Sequence, residues 1–112
     1  MKRLYVALGA WLLIGSVPCA RAEDSSLAQA VILSLARTQL ALERCPDLKP
    51  GWAREEMPKA AGLSPDEIKR GVTAAMSRVR QEMEQTGDRL CDVAMTIYGP
   101  DGNYMPYYLD RR

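Results

Sequence analysis

The chain has 112 residues, 15 Lys and Arg against 14 Asp and Glu, and no histidine, which removes Ser-His and Cys-His nucleophile pairs, imidazole metal ligands and c-type haem attachment from consideration. Arginines along its middle, among them Arg37, Arg44, Arg54, Arg70, Arg78 and Arg80, are interleaved with carboxylates. The pattern reads as a solvated mixed-charge surface, without the clustered cations that a nucleic-acid backbone requires.

The first segment carries an address. Met1, Lys2 and Arg3 make a short basic start, Leu4 to Val17 is apolar apart from Ser16, and Ala20-Arg21-Ala22 places small residues where a signal peptidase inspects them. Cleavage after Ala22 is expected, so that the mature chain begins at Glu23 and works in the periplasm or outside the cell. Removing 22 of the 112 residues leaves 90, a single small domain, and takes Lys2, Arg3 and Arg21 with it, so 12 basic residues face 14 acidic ones and the formal charge becomes −2. Cys19 is discarded as well. The remaining pair, Cys45 and Cys91, is expected to form a disulfide in an oxidising compartment. A lipid-attachment role for Cys19 is disfavoured by Pro18, which restricts the backbone beside it. No later segment reads as a membrane span, because the longest apolar stretch, Ala28 to Leu42, contains Gln29, Ser34, Arg37, Thr38 and Gln39.

Ser26 and Gln29 have capping-box spacing and predict the start of a first helix. Leu27, Val31, Leu35 and Leu42 recur along its core stripe, widened by Ile32, Leu33 and Leu40. Pro46 ends it, having no N–H and disfavouring helical geometry at Cys45. Pro50-Gly51 marks a turn. Residues 53–61 carry helix-forming residues but also Pro58, which leaves their conformation open. Ser64, Pro65 and Glu67 predict an N-cap, a first-turn proline and a capping box, with Leu63 and Ile68 spaced for a hydrophobic staple. Ile68, Val72, Ala75, Met76, Val79 and Met83 then follow the steps of one buried helical face. Gly87 is expected to stop this helix and Asp88 to cap a short last one, with Leu90, Val93, Ala94, Ile97 and Tyr98 on its apolar side. Gly99 to Asn103 is dense turn chemistry, and no strand pairs are expected.

The expected architecture is therefore all-α: a small disulfide-stapled bundle of three or four helices over residues 23–98, followed by an irregular Tyr-rich tail over 99–112. No catalytic residue, metal site or cofactor is assigned. Adjacent carboxylates at Glu55-Glu56 and Asp66-Glu67 point to different sides of a helix, and Asp66 and Glu67 are explained by the helix N-terminus they occupy. Asp101-Gly102-Asn103 lacks the ligand alternation and distal Glu of a calcium loop, and the methionines, with Met76 and Met83 on one face, read as core filling.

Trp52, Tyr98, Tyr104, Tyr107 and Tyr108 are the candidate partner-binding residues, because amphipathic aromatics are enriched at interfaces. The ordinary alternative is that the tail folds back and its tyrosines cap the core. The layout, a small exported helical chain with two widely separated cysteines at 45 and 91, resembles that of the bacterial acid-stress periplasmic chaperones. It departs from them in having a Tyr-rich tail where that family has a Lys-rich helix. The resemblance implies an acid-activated holdase that dimerises at neutral pH and opens at low pH. The residues themselves favour a non-catalytic module for an unidentified protein partner, with the holdase as one alternative, a small enzyme or inhibitor as another, and homodimerisation left open.

Overall fold

The computed structural model describes residues 26–112. The expected signal segment, Cys19 and the cleavage site lie outside the described residues. Residues 26–112 are mostly helical and carry the Cys45–Cys91 disulfide.

Helix α1 covers residues 26–44 and stops where Pro46 requires. Ser26 is already helical, so it does not act as the expected cap, and Leu27 is exposed instead of lying on the core stripe. Val31, Leu35, Ala36, Leu40 and Ala41 form the buried face. Two polar residues share that face at little cost. The Ser34 hydroxyl donates to the Ala30 carbonyl at 2.8 Å, and the Thr38 hydroxyl to the Ser34 carbonyl at 2.8 Å, which leaves neither group unsatisfied.

Helix α2, Ala53–Ala60, settles the open segment as helical despite Pro58. The helix is short, and Pro58 is buried, so its ring adds apolar contact where its missing N–H removes one backbone bond. Helix α3, Pro65–Thr86, begins as its sequence demands: the Glu67 N–H donates to the Ser64 hydroxyl at 3.2 Å, and the Ser64 N–H donates to the Glu67 carboxylate at 3.1 Å. Those Ser64 bonds hold the Glu67 carboxyl below the usual carboxylate range. Replacing Ser64 with Ala should lower stability by about 1 kcal/mol, read as a shift of the urea midpoint at unchanged slope; an unmoved midpoint would show that the cap is dispensable.

Along α3, Val79 and Met83 are buried, while Ile68, Val72, Ala75 and Met76 are half-buried against the core. Gly71 marks a close approach to α1, because a Cβ there would come within 2.7 Å of Ile32 Cδ1. Gly87, at φ 56°, ends the helix as expected. Asp88 is not the next cap. Gly87–Arg89 forms a single 3-10 turn, and α4, Leu90–Tyr98, starts from Arg89 without a side-chain cap.

The expectation of no strand pairing is corrected by the structure. Strand β1, Leu48–Pro50, pairs antiparallel with β2, Leu109–Arg111, so that Leu48 faces Arg111, Lys49 faces Asp110 and Pro50 faces Leu109. The tail is thus only partly irregular, since its last residues are in a ladder. Further backbone bonds extend it: Gly51 N–H to the Tyr108 carbonyl at 2.9 Å, Ala53 N–H to the Tyr107 carbonyl at 3.0 Å, and Arg112 N–H to the Asp47 carbonyl at 2.8 Å. Gly51 permits this approach, because a Cβ at that position would collide with the Tyr107 carbonyl oxygen. The disulfide joins the end of α1 to the first turn of α4, so residues 45–53 are fastened to the C-terminal half both covalently and by the ladder.

Candidate binding surfaces

The structure divides the five aromatic candidates into two kinds. Tyr98 and Tyr108 are each 1% exposed, their rings 5.9 Å apart, and they belong to the core. Neither can touch a partner directly. Tyr98 is placed by α4 and its hydroxyl accepts from Arg37 Nη1 at 3.2 Å. Tyr108 is placed by the tail, where its N–H donates to the Tyr98 carbonyl at 3.0 Å. Its hydroxyl is buried without a hydrogen-bond partner among the described residues. Burial, reinforced by Tyr98 and Tyr104, pushes the Tyr108 phenol up to about 12.

Trp52 and Tyr107 are 61% and 41% exposed and stack on one another, with ring centroids 5.5 Å apart and planes inclined by 29°. Trp52 precedes α2 and Tyr107 precedes β2, so the Ala53 to Tyr107 backbone bond brings the two together. Tyr107 is also the one positive-φ residue other than glycine among the described residues, at 66°. A bulky side chain in that left-handed region costs roughly 1–2 kcal/mol, and the exposed ring recovers little of it through burial. Tyr104, 52% exposed, stands apart from the pair. It meets Tyr98 edge-on at 6.2 Å and lines a groove of about 610 Å3 between α1 and α3.

A larger feature left no signal in the sequence. A groove of about 820 Å3 lies between α1, α2 and the first half of α3, with Leu35, Pro58, Leu63, Ile68 and Val72 among its walls. Arg54, Lys59 and Lys69 contribute its cations and Glu55 its single acid. Arg54 is therefore no part of a solvated mixed-charge face. Its Nη2 donates to the Leu35 carbonyl and to Gln39 Oε1, both at 3.3 Å, and its Nε is buried without a partner among the described residues. The loss of solvent holds its guanidinium below the ordinary arginine value.

Arg37 shows how the same chain treats a guanidinium that it neutralises. Its Nε and Nη2 donate to the two carboxylate oxygens of Glu82 at 3.3 and 2.8 Å, a two-pronged pair that locks α1 to α3. That hydrogen bonding raises Arg37 above its usual value and holds the Glu82 carboxyl below the usual carboxylate range.

Among the described residues no group of three His, Cys, Asp or Glu side chains is placed to hold a metal ion, and no helix is long and apolar enough to cross a membrane. No protein-family model, curated protein or solved structure matches the chain.

Proposed function

We propose that this chain is an exported, non-catalytic module that binds a protein partner through the stacked Trp52–Tyr107 pair. The observation that carries the reading is the cost of Tyr107. Its backbone is held in a left-handed conformation, yet its ring lies largely in solvent against another exposed aromatic. Folding alone would favour Gly or Asn at such a position, and local strain that burial does not repay is characteristic of binding sites. Tyr and Trp supply large, rigid contact area at low entropic cost, the property that enriches them among residues dominating interfaces. The disulfide and the expected export segment support an oxidising compartment as the place of action.

The double variant Trp52→Ser, Tyr107→Asn tests this. It should unfold at the same midpoint as the wild type or slightly above it, while losing the periplasmic protein that the wild type retains on an affinity column. A fall of more than about 2 kcal/mol would make the pair a structural element, and retention of the same protein would place the contact elsewhere.

A further inference from the structure

We infer that the groove between α1, α2 and the first half of α3 is a binding site for an amphipathic anion, a linear apolar chain ending in one carboxylate. The site is separate from the Trp52–Tyr107 pair, neither of whose residues lines it. Its volume, about 820 Å3, lies in the range of sites that enclose small organic ligands. The apolar part of its wall, Leu35, Pro58, Leu63, Pro65, Ile68 and Val72, comes from α1, α2, the loop that follows α2, and α3, and it suits an alkyl chain, while the charged groups of the rim are mostly cationic.

The charge of the ligand follows from Arg54. A half-buried guanidinium removed from water needs a counter-charge or a full set of acceptors. Arg37 has both, in Glu82 and Tyr98. Arg54 has a backbone carbonyl and a side-chain amide, each at 3.3 Å, and no carboxylate among the described residues. The one acid of the groove, Glu55, lies 3.8 Å from Lys59 on a highly exposed part of α2, so it is turned to a different cation. Lys69 adds a further positive charge from α3. In a chain whose mature form is expected to carry a net negative charge, three cations against one acid, Glu55, which is turned to Lys59, leave the groove with a local field of the opposite sign carried by Arg54 and Lys69. A neutral apolar molecule would leave Arg54 uncompensated and a cationic one would be repelled. Inorganic anions would find the charge but could not use the walls. An apolar chain with one anionic head satisfies both, and the carboxylate matches the planar fork of a guanidinium.

The test is calorimetric titration of the disulfide-intact protein with decanoate, 1-decanol, decyltrimethylammonium and acetate at physiological salt. Decanoate should bind once per chain, decanol about tenfold or more weakly than decanoate, and the cation and acetate without measurable heat. Arg54→Met keeps the length and apolar stem of the side chain. It should reduce decanoate affinity to that of decanol and leave decanol unchanged. Ile68→Trp, which fills the groove from α3, should weaken both. The wild-type comparison of decanoate with decanol stands even if Arg54→Met fails to fold. Equal affinity for the two ligands, undiminished decanoate binding by either folded variant, or no saturable binding at millimolar decanoate would overturn the assignment.

Discussion

Replacing Tyr108 with Ala is expected to lower stability by about 3–5 kcal/mol, the cost of emptying a buried aromatic site that cannot fully collapse. Tyr108 is 1% exposed and packs against Tyr98, and Leu109, which follows it, is wholly buried at the start of β2. The companion substitution goes the other way. Tyr108→Phe removes only a hydroxyl that is buried without a partner among the described residues, and deleting an unsatisfied group is neutral or stabilising, within about 1 kcal/mol. The phenol also predicts an alkaline response. Its folded value, about 12, lies above the ordinary value of 10.0 expected in the unfolded chain, so the neutral form favours folding. That stability is fully present below pH ~10 and is lost as pH rises towards ~12, by at most about 2–3 kcal/mol. Urea midpoints between pH 8 and 12 separate the possibilities. Tyr108→Phe should abolish this step, and a variant that kept it would assign the titration to another group.

Reduction of Cys45–Cys91, or its replacement by two serines, should have a comparable effect. The bond spans 46 positions, and in the chain-entropy model a loop of that size is worth roughly 3–4 kcal/mol. For a domain so small, this is a large part of its total stability. Its loss leaves only non-covalent ties between residues 45–53 and the C-terminal half, chiefly the β1–β2 ladder with its flanking hydrogen bonds and the Trp52–Tyr107 stack. Equilibrium unfolding with and without reductant measures the difference. Coincident curves would show that helix packing and the ladder suffice.

Local chemistry was legible in this sequence where it is written in adjacent residues. Ser64, Pro65 and Glu67 specify a helix start through bonds spanning three positions, Pro46 stops α1, and Gly87 accepts a conformation costly to other residues. Cys45 and Cys91 could be paired because, with Cys19 set aside in the expected export segment, they were the two cysteines left. The strands were illegible for the opposite reason. Lys49, Pro50, Asp110 and Arg111 have neither β propensity nor alternation, and three-residue strands exist only because remote backbones meet. Tyr98 and Tyr107 illustrate the same limit within the candidate surface: both are tyrosines near turns, yet one is buried under Arg37 and the other is held out in solvent by a positive φ. Arg54 looked like one more member of an interleaved charge pattern. Its distinction, the lack of a carboxylate beside a half-buried guanidinium, depends on α1, α2 and α3 coming together.

The pairing of β1 with β2 also sets a clock. A polypeptide emerges from the ribosome one end first, and Leu48 has to wait for Arg111 before its ladder can form. Tyr108 and Leu109, which complete the interior, are equally late. Until that point α1 has an apolar face without its full cover, and a contact so distant along the chain carries a loop-closure cost that delays its formation. On the proposed reading of the chain as an exported module, such lateness is an advantage, because a chain that folds late can still be threaded through a membrane. The contacts that join Leu48–Pro50 to Leu109–Arg111, about sixty residues apart along the chain, form only once both segments share one compartment.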